Sequence, residues 1–287
     1  MKPVTPELAP KDRYLICTDL DRTLLPNGPQ AESSGAREAF ARLIARPEFA
    51  LAFVSGRRKA LQESAISQYG LPQPDYAIAD VGTTMYRVTA QGWESLPEWH
   101  EHIAASWQGR TGQDLAELVS DVPGLTLQEP NAQSAFKLSY FARADCDDRQ
   151  LLVAVRECLD NHDIDANLIW SVDETEPIGL LDILPGRASK RHAIEFLIKL
   201  AGFNTDRVIF AGDSGNDLEV FLSGLRSVLV ANATPEFRSE VSKSIGRRDK
   251  MGRLYVAKGG FMGMNGNYSA GILEGIAHFL PETLKWM

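Results

Sequence analysis

Four short stretches carry side chains able to do chemistry together. They are Asp19 and Asp21 in DLDRT, Ser55 in VSGR, Lys190 in SKRH, and Asp213 and Asp217 in GDSGND. Two acids one residue apart repel each other unless a cation or a difference in protonation separates their roles. The GDSGND stretch adds carboxylates on a turn loosened by glycine, the oxygen donors that hard divalent cations take. Lys190, followed by Arg191, opens a helical pattern, where an exposed positive charge opposes the macrodipole at a cost of about 0.3–1 kcal/mol. A sequence that keeps an ammonium there has a use for it, and an anion at that helix end is one. Each stretch alone has a plainer reading: a solvated DxD turn, an Asp217 serving a helix N-terminus, a lysine snorkelling into water.

Hydrophobic patterning supplies the elements that must position these groups. Tyr14-Leu15-Ile16-Cys17 runs up to Asp19, Leu51-Ala52-Phe53-Val54 up to Ser55-Gly56, and Val208-Ile209-Phe210-Ala211 up to Asp213. Each is a short β-prone run followed by turn residues and is predicted as a buried strand. Open α/β sheets place their ligand crevice beyond the C-terminal ends of such strands. Residues 31–46 carry Phe40, Leu43 and Ile44 at helical spacing, residues 58–68 read as a second helix, and Tyr76-Ala77-Ile78-Ala79 resumes a strand before Gly82. This is a βαβαβ order with right-handed crossovers.

From Met85 the texture changes. Trp93, Trp99 and Trp107 cluster, helices are predicted at 114–119 and 149–161, and strands at 136–141, 168–172 and 179–184. The βα rhythm returns with a helix over 189–200 closed by Gly202, strands at 207–211 and 227–230, and helices at 216–221 and 235–241. A glycine-rich stretch, residues 259–271, leads into a final helix ending near Leu280. The predicted class is α/β. A Rossmann-like parallel-sheet core in two parts, residues 1–84 and 184–287, is split by a smaller α+β domain over 85–183.

The chain has 287 residues, 44% hydrophobic and 24% charged, enough for a proper core in one large or two ordinary domains. A net charge of −8 is the wrong sign for a phosphate-backbone binder, so nucleic acid is not an expected partner. An acidic protein that handles an anion must gather its positive groups locally or bring a metal. Cys17, Cys146 and Cys158 form no C-x-x-C pair, so neither a disulfide framework nor a zinc site is expected and a reducing compartment fits. Residues 1–10 are proline-rich without an apolar h-region, and no apolar run reaches about 18 residues. A soluble, cytoplasmic protein with no signal peptide and no membrane partner is the expectation.

In order and context, DLDRT, the serine of VSGR, the lysine of SKRH and GDSGND resemble the four motifs of the haloacid dehalogenase superfamily of phosphotransferases. The insert between the second and third resembles the α+β cap of its sugar-phosphatase branch. Phe136-Lys137-Leu138-Ser139-Tyr140, Leu181-Asp182-Ile183-Leu184-Pro185, GDSGNDLEVF and Ala270-Gly271-Ile272-Leu273-Glu274 look like the sucrose-6-phosphate phosphatase family, over residues 14–279. Two departures stand out: Arg191 where that family tends to have glycine, and a longer, more glycine-rich loop at 259–267.

The resemblance implies a Mg²⁺-dependent phosphatase. Asp19 would attack phosphorus to form an aspartyl-phosphate, and Asp21 would protonate the leaving oxygen and then activate water. Mg²⁺ would be held by the carboxylates of Asp19 and Asp213 and the backbone carbonyl of Asp21, with Asp217 ordering a metal-bound water. Ser55 and Lys190 would hold phosphoryl oxygens, assisted by Asn216 and backbone amides such as that of Gly56. Lys137 and Tyr140 are candidates for sugar contacts, and Tyr268 for completing the site; their plainer reading is a solvent-facing lysine and packed tyrosines. Arg57-Arg58-Lys59 reads as a solvated helix start, and His100 and His102 as surface residues.

The implied substrate is a disaccharide phosphate, sucrose 6-phosphate first, with mannosylfructose phosphate and glucosylglycerol phosphate as alternatives. The upstream sugar-phosphate synthase is a candidate partner. A sugar phosphomutase and a silent phosphatase-like module are the competing classes. The second is disfavoured because every acid is present.

Overall fold

The computed structural model describes residues 8–143, 146–172, 178–245 and 252–287. Most of the proline-rich N-terminal stretch, residues 1–7, lies outside them. The chain divides into two units, residues 1–95 with 190–287, and residues 96–189.

The first unit is built on β1 (Tyr14–Thr18), whose residues from Leu15 to Thr18 are fully buried, as in a strand covered on both faces. After it come α1 (Ala36–Ile44), β2 (Phe49–Val54), α2 (Lys59–Tyr69) and β3 (Tyr76–Ala79). β1, β2 and β3 pair in parallel, so the predicted βαβαβ order is present. The chain then makes an antiparallel hairpin, β4 (Thr84–Thr89) and β5 (Gly92–Ser95), and β4 pairs with β3. The sequence reading placed the first boundary at 84/85. It falls at 95/96 because this hairpin spends its backbone hydrogen bonds on the same sheet, taking Trp93 with it, and the second boundary, expected at 183/184, falls at 189/190 because the strand Gly179–Pro185 belongs to the other sheet.

The second unit contains α3 (Pro97–Ala104), α4 (Gly112–Leu118), β6 (Leu125–Leu127), β7 (Leu138–Ala142), α5 (Asp148–Asp160), β8 (Ala166–Val172) and β9 (Gly179–Pro185). Its strands form an antiparallel sheet in the order β6-β7-β9-β8. Trp107, Leu115 of α4, Val155 and Leu159 of α5, and Tyr140, Leu181 and Ile183 of the sheet share its core. Trp99 and Trp107 are fully buried.

The first unit resumes with α6 (Lys190–Ala201), β10 (Val208–Gly212), α7 (Leu218–Phe221), β11 (Arg226–Leu229), α8 (Pro235–Ile245), β12 (Leu254–Val256) and α9 (Ser269–Phe279). The sheet order is β12-β11-β10-β1-β2-β3-β4-β5, parallel from β12 through β3. Side chains alternate between the faces. Ile16, Leu51, Phe53 and Ile209 meet Phe40 and Leu43 of α1 and Ile272 and Ile276 of α9. On the other face, Phe210 stacks edge-on with Phe221 of α7, which in turn meets Phe237 of α8.

α9 approaches β11 so closely that a Cβ on Gly275 would collide with the Val228 side chain. In an open helix Gly→Ala gains about 1 kcal/mol, but overpacking costs about 1–3 kcal/mol. Gly275→Ala is therefore expected to lower the urea midpoint at unchanged m value. A raised midpoint would contradict this packing.

Candidate active site

The strand order reverses around β1: β2 and β3 lie on one side, β10, β11 and β12 on the other. Crevices form at such switch points. Thr18 is level with Phe53 on one neighbour and Ala211 on the other, so the residues that follow these strands emerge at one edge. Asp19 follows β1, Ser55 follows β2, and Asp213 follows β10. The backbone N–H of Asp19 donates to the Ala211 carbonyl (2.9 Å), and that of Ser55 to the Ile78 carbonyl (3.0 Å).

Lys190, the first residue of α6, is 2% exposed and reaches into this edge. Its Nζ lies 3.0 Å from Asp19 Oδ2 and donates to Asp217 Oδ1 (2.7 Å) and Asn216 Oδ1 (3.1 Å). The other Asp19 oxygen accepts the Leu20 N–H at 2.7 Å, so both carboxylate oxygens are oriented. Asp217 Oδ2 accepts the backbone N–H groups of Asp213 (3.1 Å) and Ser214 (3.3 Å), which folds the GDSGND turn onto its own aspartate. Asp213 Oδ1 accepts the Thr23 hydroxyl (3.0 Å), and Arg22 Nε lies 3.6 Å from its Oδ2.

Asp19, Asp213 and Asp217 are all buried, and an oxygen from each lies within 4.8 Å of the others. Burial pushes the Asp19 carboxyl up to about 7, with Asp217 and Asp213 adding to the rise and Lys190 opposing it. Burial and the neighbouring Asp217 push Asp213 up to about 6. Burial alone would lower Lys190, but Asp19 and Asp217 more than offset this and hold it above the usual lysine range. Three buried carboxylates against the Lys190 ammonium, with the Arg22 guanidinium 3.6 Å from Asp213, are short of positive charge. An all-oxygen donor set at this spacing could hold a hard divalent cation, which would supply it.

Asp21 stands apart from this cluster. Arg57 donates to it through Nε to Oδ2 (2.7 Å) and Nη2 to Oδ1 (2.6 Å), and Asn27 Nδ2 also donates to Oδ1 (2.7 Å). Burial pushes Asp21 up, but the Arg57 bonds and charge, with Asn27, outweigh it and leave its carboxyl below the usual range. Arg57 is therefore a member of the site and not a solvated helix start. The readable signal was a cation two residues beyond a strand-end serine, on the turn that must face the crevice.

The remaining expected residues divide clearly. Ser55 is buried, with its Oγ accepting the Arg57 N–H (3.2 Å), and a Cβ on the exposed Gly56 would meet Val81 among the described residues. Tyr268 is fully buried and its hydroxyl donates to the Gln30 carbonyl (3.0 Å), so it braces the loop after β1 and presents no free hydroxyl. Lys137 and Tyr140 belong to the second unit. Lys137 is no solvent-facing lysine: its Nζ donates to Ser139 Oγ (2.5 Å) and the Ala132 carbonyl (3.2 Å) and sits 3.0 Å from Asp182 Oδ1. Tyr140 lies in that unit's core.

A family model for sucrose-6F-phosphate phosphohydrolase matches residues 12–280. The chain belongs to that family. It is a phosphoric monoester hydrolase of the haloacid dehalogenase superfamily. It is 52% identical to a protein of Nitrosococcus oceani described as a HAD-like hydrolase, over 96% of this chain and 74% of that one. It is 29% identical to the mannosylfructose-phosphate phosphatase of Agrobacterium fabrum, over 94% of this chain and 98% of the relative. The sucrose-phosphatase of Synechocystis, solved with sucrose and phosphate, superposes with a TM-score of 0.70 at 26% identity, covering 93% and 98% of the two chains.

The raised carboxyls give a signed pH dependence. From an ordinary 3.8, Asp19 rises to about 7 and Asp213 to about 6, so the native state holds protons that the unfolded chain has released. Their contribution to stability is intact below about pH 4 and is lost as pH rises through 6 to 7. A cation that binds the ionised acids works against this loss. Melting temperatures with and without added Mg²⁺ should differ more at about pH 8 than at about pH 5; an equal or smaller difference at the higher pH would refute the cluster's role in cation binding.

Proposed function

We propose that the protein is a Mg²⁺-dependent phosphatase of a disaccharide phosphate, with sucrose 6-phosphate as the first candidate, acting through an aspartyl-phosphate on Asp19. The observation that carries the reading is the buried Lys190 ammonium, suspended between Asp19 and Asp217 at the sheet's switch point. Phosphate monoesters hydrolyse extremely slowly unaided, so positioning and charge neutralisation must do most of the catalysis. Mg²⁺ held by Asp19 and Asp213, with the Asp21 carbonyl, would supply counter-charge for the acids and for the transferring phosphoryl group.

The chain's own residues account for the remaining steps. An Asp19 oxygen attacks phosphorus in line and the bond to the sugar oxygen breaks, with Asp21 in its protonated form, which the Arg57 fork disfavours, giving that oxygen a proton. Asp21 then takes a proton from water as the water oxygen bonds to phosphorus. The Asp19–phosphorus bond breaks and orthophosphate leaves. Ser55, Lys190, Asn216 and the Gly56 amide hold the phosphoryl oxygens as charge develops. Asp217, with one oxygen on Lys190 and the other on two backbone amides, fits a role behind the cation better than one as a direct ligand.

Within the second unit, Lys137, Ser139 and Asp182 gather an ammonium, a hydroxyl and a carboxylate, groups of the kind that bond sugar hydroxyls. Mannosylfructose phosphate is the second candidate substrate. The Agrobacterium relative that acts on it aligns almost end to end with this chain.

Phosphate release should be measured with Mg²⁺ and with EDTA on sucrose 6-phosphate, mannosylfructose phosphate, trehalose 6-phosphate and glucose 6-phosphate. A disaccharide phosphate is expected to lead, EDTA to stop the reaction, and Asp19→Asn to lower kcat by about 10³-fold or more. Activation by a hexose bisphosphate with little phosphate release would point to a mutase instead. Full activity in Asp19→Asn would end the aspartyl-phosphate reading.

A further inference from the structure

Asp21 has to be aimed, yet its side chain is 42% exposed. Hydrogen bonds do the aiming. Arg57 takes one position on each carboxylate oxygen and Asn27 a second on Oδ1. A carboxylate offers about four acceptor positions. Among the described residues no other donor meets Oδ2, which keeps one open. The bidentate fork fixes the plane of the carboxylate as well as its place.

Arg57 is itself held. Its N–H donates to Ser55 Oγ (3.2 Å), and its carbonyl accepts from Gln62 Nε2 (3.0 Å) and from the Asp80 N–H (3.3 Å). Gln62 is fully buried and also donates to the Ile78 carbonyl at the end of β3 (3.1 Å). The turn that presents the Ser55 hydroxyl thus also presents the guanidinium, and both inherit the rigidity of the β2–β3 edge.

We propose that Arg57 is a positioning residue that orients Asp21 for the second half of the reaction, in which the carboxylate takes a proton from the attacking water through Oδ2. The fork sets the plane and position of the carboxylate, and Arg57 need not touch the reacting atoms. In that step the water oxygen bonds to phosphorus, its proton goes to Asp21, the bond from phosphorus to Asp19 breaks and orthophosphate leaves. The proposal rests on the acid–base reading of Asp21 given above.

The test uses p-nitrophenyl phosphate, whose leaving group needs no proton, so that the first half proceeds without help from Asp21. Arg57→Ala should release one equivalent of nitrophenolate in a burst, accumulate acid-trapped phosphoenzyme, and turn over about 10- to 100-fold more slowly than the wild type. Arg57→Lys, which keeps charge without the fork, should recover only part of the rate. The Asp21→Asn/Arg57→Ala double variant should be no slower than Asp21→Asn alone, because Arg57 has nothing left to aim. A slow Arg57→Ala without a burst, or losses that multiply in the double variant, would overturn the positioning role. An Asp21→Asn enzyme that shows no burst would instead remove the reading of Asp21 on which the proposal stands.

Discussion

The site depends on one buried ammonium. Lys190 joins the N-terminus of α6, the end of β1 and the GDSGND turn through bonds to Asp19, Asp217 and Asn216. Removing one partner of such a buried set costs about 3–5 kcal/mol, because the charges left behind have neither water nor a counter-ion. The same geometry leaves the three acids short of positive charge, so what holds the native site together also prepares it for a cation. Stability and chemistry are set here by the same residues.

Around this centre a second layer fixes the loop that follows β1. Asn232 donates to the Arg22 carbonyl (2.5 Å) and accepts the Tyr268 N–H (2.9 Å), while Asn265 and Asn267 donate to the Ala31 carbonyl. Glu274 gathers the Lys258 and Gly259 amides and the Tyr255 hydroxyl, tying the glycine-rich loop to α9. The glycines are required by close approach. Gly259, at φ +80°, has no room for a Cβ against the Asn265 backbone. That loop therefore braces the loop after β1, which is a structural reason for its composition that needs no sugar.

Much of this was legible in the chain. The strands ending at Asp19, Ser55 and Asp213 are continuous apolar runs because both faces of the sheet are covered, and their short length and the turn residues that follow mark them as strands. The hairpin from Thr84 to Ser95 was not legible as part of the sheet: edge strands are half-exposed, and Trp93 was grouped with Trp99 and Trp107, which lie in the other unit. Arg57 was missed for a related reason. A run of three basic residues at a helix start is ordinarily solvated, and only the sheet order brings Arg57 to Asp21.

The sequence by itself determined the local chemistry and where along the chain it sits, since strand-end acids, a strand-end serine and a helix-start lysine follow from short-range patterning. Tertiary structure alone decided which group meets which. Lys190 lies next to Asp19 because α6 and β1 converge at the switch point, Arg57 next to Asp21 because β2 adjoins β1, and the Tyr268 hydroxyl is consumed by Gln30 because the C-terminal loop closes over the loop after β1. Propensity and periodicity act over a few residues, whereas these pairings are fixed by strand order, and strand order is fixed by packing the whole sheet.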